Sequence, residues 1–429
     1  MKRLFASLLA LCLMCGITAC KGADNNKTDA KGTVYYLNFK PESDQAWQAL
    51  AKEYTEKTGV TVKVVTAASG DYETTLNAQM GKDGQPTIFI CGNPMSLADW
   101  SDYTLDLTGT KLAGELTTND YNLYDTEGKL KAIGYCYETF GIIVNTKLLQ
   151  QAGYELSQIT DFDSLAAIAQ DIHSRAGELG FDAFTSSGLD DSSSWRFSGH
   201  LMNMPLYYEF RDREIVEQPA TLTGAYLNNF RKIWDLYIQN SATSPAGQIS
   251  ATGDDAKADF HNSKAVFWQQ GSWEYNGLVE AGLTDVAMIP IYCGVTGEEK
   301  AGLASGTENC WAINSKASQA DIDASLEFLY WVVTSESGTK MLSEQFGAVP
   351  FKQAAPVDNK FSNQAKELYD QGHYTVTWAF TATPNVNNWR AGIVTALTAY
   401  TVSPTDANWQ KVADAVVAGW AIEYNTQNQ

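Results

Sequence analysis

Aromatic rings and polar loop residues are the side chains of this sequence best suited to chemistry. Among its 429 residues are 12 Trp and 21 Tyr, a high aromatic content for a chain that is not apolar overall. Such rings either fill a core or offer flat faces for stacking. The loop at residues 190–196 points to the second use, since two Asp and three Ser there lead into Trp195 and Arg196. This pattern indicates binding by stacking and hydrogen bonding.

Residues that commonly support catalysis or metal binding are widely separated. The four His show no HExxH spacing, and neither a Walker A sequence nor GxSxG occurs. Four cysteines lie beyond the first twenty residues, and no two of them form a CxxC pair. They are Cys91, Cys136, Cys293 and Cys310. We expect buried free thiols, with disulfide pairing as the alternative, and neither a metal nor a cofactor. These absences do not exclude an enzyme.

The first elements of the chain predict a parallel sheet. Residues 33–38, 60–65 and 87–91 read as strands, and a helix over 44–57 ends at Gly59. The β-α-β-α-β order requires crossover helices between parallel strands. Ligands bind beyond the carboxyl ends of such strands. Three segments are therefore candidates for a site: residues 38–43, 67–71 and 91–94.

Later segments predict further strands and helices. Strands are expected at residues 141–145, 286–291 and 310–314, and helices at 161–172, 226–238, 321–334, 389–400 and 412–420. About 400 residues remain after the start of the chain is set aside. Because that length exceeds what one core usually accommodates, two lobes are expected.

The first twenty residues predict export. Lys2 and Arg3 precede a short apolar run, and small residues then lead to Cys20. A basic start, an apolar centre and a small-residue cut site are typical of a signal peptide. The ending at residues 17–20 resembles a bacterial lipoprotein box, in which the cysteine is lipidated. We expect a signal peptide at 1–19, lipidated Cys20 with a flexible tether at 20–32, and a body held at the outer face of the bacterial membrane, periplasmic in a Gram-negative cell. An ordinary signal peptide with a chance cysteine is the alternative.

The charge of the chain restricts its partners. A formal net charge of −20 argues against binding to nucleic acid and against electrostatic binding to anionic lipid. It also argues against an anionic ligand, although a local basic pocket would override the overall field.

Four stretches, in order, resemble one family. They lie at residues 50–62, 137–149, 265–273 and 328–338 followed by Gly347 and Pro350. Together they resemble the extracellular solute-binding proteins of carbohydrate ABC importers, the class that includes the maltodextrin-binding protein. The resemblance implies an α/β fold of two lobes with a hinge and a ligand cleft between them. It implies lobes at 33–138 plus 306–347 and at 139–305 plus 348–429, an ABC permease as partner, and a monomer.

The resemblance also implies residues that would hold a sugar. Rings stack on the apolar faces of a sugar, and charged or amide groups bond its hydroxyls. Trp273 in the glycine-tryptophan loop, Trp389 and Trp195 match stacking positions. The expected polar contacts are Glu138 at the first crossing, Glu42, Asn93, Asp71, Asp191, Arg196 and Glu308. Ser43 stands where the maltodextrin binder has a lysine, and Asn93 where an acid is expected, so maltodextrin itself is in doubt.

Three functions compete. The main hypothesis is an oligosaccharide-binding lipoprotein without catalysis. The second is a binder of another solute, such as a peptide, a ferric complex or a polyamine, and a polyamine would suit the acidic charge. The third is a secreted glycoside hydrolase, since Trp residues and paired carboxylates also serve sugar cleavage.

Overall fold

Two sheets organise residues 31–428, the part of the chain that the computed structural model describes. The predicted signal peptide and the predicted lipidation site Cys20 lie outside these residues. The strands are Val34–Asn38 (β1), Val62–Thr66 (β2), Ile88–Cys91 (β3), Leu123–Tyr124 (β4), Leu130–Gly134 (β5), Glu138–Asn145 (β6), Asp182–Phe184 (β7), Ala265–Gly271 (β8), Val286–Ile289 (β9), Ala301–Gly306 (β10), Cys310–Ile313 (β11) and Tyr374–Thr377 (β12). The α-helices are Asp44–Thr58 (α1), Tyr72–Met80 (α2), Pro94–Asp99 (α3), Thr146–Gln151 (α4), Phe162–Ser174 (α5), Ala176–Leu179 (α6), Asn203–Asp212 (α7), Leu227–Gln239 (α8), Pro245–Gln248 (α9), Gly253–His261 (α10), Tyr275–Glu280 (α11), Gln319–Thr334 (α12), Glu336–Phe346 (α13), Lys360–Asp370 (α14), Val386–Val402 (α15) and Asp406–Gln427 (α16).

The first sheet has the order β2-β1-β3-β11-β5-β4. β1 runs parallel to β2 and β3, as the sequence predicts. Helix α1 covers this sheet with a buried stripe that includes Trp47 and Tyr54, and Gly59 ends it with a φ of 70°. β11 differs from the predicted parallel pattern, because it returns from far along the chain and pairs antiparallel with both β3 and β5. This sheet and its helices form the first lobe.

The second sheet has the order β12-β10-β6-β8-β7, and β9 also pairs with β6. β6 is its central strand and is buried along its whole length. Helices α15 and α16 pack against each other in the same core. This sheet and its helices form the second lobe, so the predicted two-lobe α/β fold is confirmed.

The chain passes between the lobes at residues 135–137, 307–309 and 347–359. These segments are tied together, since the Tyr137 amide donates to the Ala348 carbonyl at 2.8 Å and the Tyr135 amide donates to the Asn309 carbonyl at 3.0 Å. Phe351 packs in the core of the first lobe, a few residues beyond the predicted boundary at 347. These crossing segments are the hinge of the molecule.

The described cysteines agree with one expectation. All four described cysteines are buried and free, as predicted. No helix among residues 31–428 is long and apolar enough to cross a membrane.

Candidate functional site

A buried ion pair lies where the lobes meet. Lys40 follows β1, and its Nζ lies 2.9 Å from both carboxylate oxygens of Glu138, the first residue of β6. The Asn309 amide donates to the same carboxylate at 2.8 Å. Asn38 shapes the loop by donating to the Lys40 carbonyl and accepting from the Lys40 amide. The predicted sugar contact Glu138 is thus engaged with protein partners at the hinge.

Electrostatic attraction to neighbouring carboxylates keeps the buried Lys40 side chain protonated. Burial alone would lower the pKa of Lys40, but Glu138 and Glu42 outweigh burial and raise the pKa above its usual range. The Glu42 carboxylate lies 3.7 Å from Lys40 Nζ. Glu42 keeps 39% of its side chain open to solvent, yet protein surrounds it closely enough that desolvation raises its pKa. Glu42 therefore lies at the entrance to the ion pair.

Trp273 faces this ion pair from the second lobe. The Trp273 ring packs on the backbone of Gly271, where a Cβ atom on residue 271 would lie 2.2 Å from the ring. Lys40 Nζ lies 4.7 Å from the centre of the ring, within the range of a cation–π interaction. The two lobes therefore touch across the space between them, which we call the cleft.

An aromatic floor extends from Trp273 into the second lobe. We give this name to Phe140, Trp195, His200, Trp273, Trp378 and Phe380, whose neighbouring ring centres lie 4.2–5.8 Å apart. Trp195 precedes a π-helical turn at Arg196–Leu201, a rare structure that often marks functional sites. Trp195 and Trp273 are only partly buried, so they are the members whose rings can meet a ligand.

Several buried polar atoms around this floor have no hydrogen-bond partner among the described residues. They are Arg196 Nη2, His200 Nδ1, Gln269 Oε1 and Trp378 Nε1. Burial, aided by Arg390 and Lys40, lowers the pKa of His200 well below its usual value, so the imidazole is neutral. Burial also lowers the pKa of Arg196 to about 10, although Glu274 and Asp190 oppose the shift. An unpaired buried polar atom is costly, so these groups favour a ligand with both donors and acceptors.

Glu308 and Arg390 are two further charged residues at the cleft. Burial raises the pKa of Glu308 to about 7, while Arg390 and Lys40 oppose this effect. Arg390 belongs to α15, and its Nε donates to the Ser198 hydroxyl at 3.1 Å. Since Glu308 follows β10 at the hinge and Arg390 lies on a second-lobe helix, these charges approach the cleft from different elements.

Of the residues predicted to bind a ligand, six lie together at the cleft: Trp273, Trp195, Glu138, Glu42, Arg196 and Glu308. Asp71 and Asp191 are exposed, next to a contact between the lobes in which Ser69 donates to the Ser192 carbonyl. They lie at the rim of the cleft.

Two predicted residues have structural roles instead. The Asn93 side chain accepts from the amides of Met95 and Ser96 and so caps α3. Trp389 is buried in the second-lobe core, where its Nε1 donates to the Val416 carbonyl and its ring packs edge-on against Trp420. The stacking role predicted for Trp389 is therefore wrong for this structure, because the ring faces α16; Arg390 is the neighbour that approaches the cleft.

Sequence reasoning missed several cleft residues, among them Lys40, His200, Trp378 and Arg390. Lys40 lay within the predicted segment 38–43, where Glu42 was chosen instead. The other three carry no local signal, because their partners are distant in sequence. Among residues 31–428 no group of three His, Cys, Asp or Glu side chains is placed to hold a metal ion.

The profile of a family described as bacterial extracellular solute-binding protein matches residues 49–371, about three-quarters of the chain. The chain belongs to this family. The resemblance predicted from the sequence is thereby confirmed. Members of the family are extracellular binding proteins, so this solute-binding protein is exported. No curated protein sequence matches the chain.

Solved structures of the same fold resemble this solute-binding protein along nearly its whole length. RafE in complex with raffinose has a TM-score of 0.71 and 15% identity, covering 91% of this chain and 99% of RafE; an apo form of RafE comes from Streptococcus pneumoniae. The GacH receptor of Streptomyces glaucescens, solved unliganded and with acarbose, has a TM-score of 0.68 and 19% identity, covering 92% and 99%. A sugar transporter from Bacillus licheniformis in complex with stachyose has a TM-score of 0.66 and 15% identity, covering 91% and 100%. At these identities the likeness establishes the fold.

Proposed function

We propose that this solute-binding protein captures a neutral oligosaccharide in the cleft and delivers it to the permease of an ABC importer. The observation that carries the proposal is the combination of an aromatic floor with unpaired buried donors and an acceptor beside it. Rings match the apolar faces of a sugar, and donors with acceptors match its hydroxyls, which both give and accept hydrogen bonds. The raffinose, stachyose and acarbose bound by the similar structures support this substrate class.

The charges of the cleft do not favour the polyamine alternative. Lys40, Arg196 and Arg390 surround the aromatic floor, and a polycation there would meet like charges. Of the cleft carboxylates, Glu138 is already held by Lys40 and Asn309, Glu42 lies 3.7 Å from Lys40, and Glu308 interacts with Arg390 and Lys40. A neutral ligand leaves this balance unchanged.

The remaining parts of the proposal concern anchoring and architecture. We propose that Cys20 carries the lipid that holds the protein at the membrane, that the protein acts as a monomer, and that it binds without cleaving its ligand. The lobes are proposed to comprise residues 33–138 plus 306–347 and residues 139–305 plus 348–429, except that Glu138 begins β6 of the second sheet and Phe351 packs on the first lobe. Radiolabelled palmitate incorporated into the wild type but not into Cys20→Ala would support the anchor, and equal labelling would contradict it.

Calorimetric titration tests the sugar proposal. A soluble form that begins at Lys21 is titrated with raffinose, stachyose, acarbose and a chitin oligosaccharide, and with spermidine and a peptide mixture as controls. We expect one sugar class to bind saturably and Trp273→Ala to weaken it at least tenfold, about 1.4 kcal/mol. Trp331→Ala is the matched control, because Trp331 packs on the first lobe against Tyr54 and Phe328.

Two results would contradict this proposal. Saturable binding of spermidine with no response to any sugar would overturn the substrate class. Release of smaller sugars from a bound oligosaccharide, followed by chromatography, would overturn the absence of catalysis.

A further inference from the structure

A cavity lies at the hinge, on the side away from the cleft. It has a volume of about 420 Å³, near the small end of the roughly 300–1,000 Å³ typical of ligand pockets. Tyr137 and Thr139 line it, whereas Glu138 between them bonds Lys40 at the cleft. Because successive side chains of an extended strand point to opposite faces, the cavity and the cleft lie on opposite sides of this crossing segment. We call it the hinge cavity.

Both lobes contribute walls to the hinge cavity. Tyr121 precedes β4, and its backbone packs so closely on Gly134 of β5 that it belongs to the first lobe. Ser362, Ala365 and Tyr369 line the other side and lie on α14, which packs on the second sheet. A rotation about the hinge therefore changes the distance between these walls.

The lining of the hinge cavity suits a neutral hydroxylated ring. The Tyr121 and Tyr137 rings lie 4.8 Å apart, and burial raises the pKa of Tyr137 to about 12, so its hydroxyl stays protonated. The buried Ser362 hydroxyl has no hydrogen-bond partner among the described residues. Lys366, the charged residue of the lining, is paired with Asp370. Rings, hydroxyls and the lack of an unpaired charge favour a small polyol over an ion.

We propose that the hinge cavity binds a neutral hydroxylated ring of monosaccharide size, and that this ligand favours the closed cleft. Hinge closure brings the lobes together at the front and separates the walls behind the hinge. Opening the cleft would therefore compress the hinge cavity, and an occupied cavity would resist opening. By linkage, each ligand then strengthens the binding of the other. The coupling, but not the second site, rests on the proposed function of the cleft.

The first experiment tests the second site alone. D-glucose, D-galactose and myo-inositol are titrated into Trp273→Ala, in which the cleft is weakened. We expect at least one of them to bind Trp273→Ala, and the added substitution Ala365→Trp, which fills the cavity, to abolish this binding. Ala418→Trp is the matched control, because Ala418 is exposed on α16. No binding to Trp273→Ala, or binding that survives Ala365→Trp, would overturn the second site.

A milder variant protects the test against misfolding. If Ala365→Trp does not fold, Ser362→Ala in the Trp273→Ala chain removes only the unpaired hydroxyl. We expect this change to weaken the monosaccharide at least threefold, and unchanged affinity would overturn the assignment.

The second experiment tests the coupling in the wild-type chain. Raffinose is titrated with and without a saturating amount of the monosaccharide found above, and we expect about fivefold tighter raffinose binding in its presence. Equal or weaker affinity would overturn the coupling. Raffinose binding without any monosaccharide binding would leave the proposed function standing and remove the hinge site, so the two failures are distinguishable.

Discussion

The ion pair at the hinge makes a quantitative prediction for Glu138→Gln. The substitution keeps the shape of the side chain but removes the negative charge 2.9 Å from Lys40 Nζ. The side chains of Lys40 and Glu138 are only 9% and 3% exposed, so the remaining ammonium would stay buried. Breaking a buried ion pair in this way costs about 3–5 kcal/mol. Because Glu42 remains 3.7 Å from Lys40, we expect the free energy of unfolding to fall by about 3 kcal/mol.

Differential scanning calorimetry measures this loss. At about 2.1 cal/mol/K per residue, a chain of about 400 residues has an unfolding entropy near 0.8 kcal/mol/K. A loss of about 3 kcal/mol then lowers Tm by about 4 °C. Glu53→Gln is the matched control, since Glu53 accepts from Lys57 at 2.6 Å on the protein surface. An exposed pair of this kind contributes at most about 1 kcal/mol, so we expect Tm to change by about 1 °C or less.

Two outcomes would refute the reasoning. If Glu138→Gln lowers Tm no more than Glu53→Gln does, the buried Lys40 ammonium does not need the Glu138 carboxylate for stability. The double variant Lys40→Met with Glu138→Gln removes both charges and should recover most of the loss, because apolar groups often replace a buried pair without cost. If the double variant is as unstable as the single one, lost packing rather than an unpaired charge is the cause.

Three further predictions concern packing, protonation and thiols. Gly271→Ala should lower the free energy of unfolding in urea by about 1–3 kcal/mol, because its Cβ would lie 2.2 Å from the Trp273 ring. The control Gly392→Ala has open space around the new Cβ and should be neutral or stabilising. Equal effects of the two substitutions would contradict this prediction. Burial raises the pKa of Glu73 to about 7, so the folded chain holds that proton more tightly than the unfolded chain. Relative to wild type, Glu73→Gln should gain stability as the pH rises from 5 to 8, and a pH-independent difference would contradict this. The four described cysteines should react with a thiol reagent only after unfolding, because burial raises the pKa of each thiol; rapid reaction of the native chain would contradict this.

Local patterns predicted the elements of the fold well. The helix expected at residues 44–57 is Asp44–Thr58, and the strand expected at 310–314 is Cys310–Ile313. Periodicity and the capping residue Gly59 determine such boundaries over a few neighbouring residues. The antiparallel placement of β11 was not predicted, because pairing between residues more than 200 positions apart leaves no local pattern.

The candidate site was predicted only in part for the same reason. Trp195 and Trp273 lie next to each other at the cleft, and both follow recognisable loops or strand ends. Trp389 begins a helix after a polar run, but only the packing of α15 on α16 determines that its ring is buried. Lys40 can be recognised as a site residue only from the fold, which places it beside Glu138, 98 residues further along the chain.

The position of β11 has a consequence for how the protein is secreted. Because β11 lies between β3 and β5, the first sheet has a gap at its centre until residue 313 is available. A chain that crosses a membrane from its N-terminus would thus keep the first lobe unfinished until most of its length has passed. The order of the strands in this sheet thus delays completion of the first lobe until every strand of the second sheet except β12 has also passed.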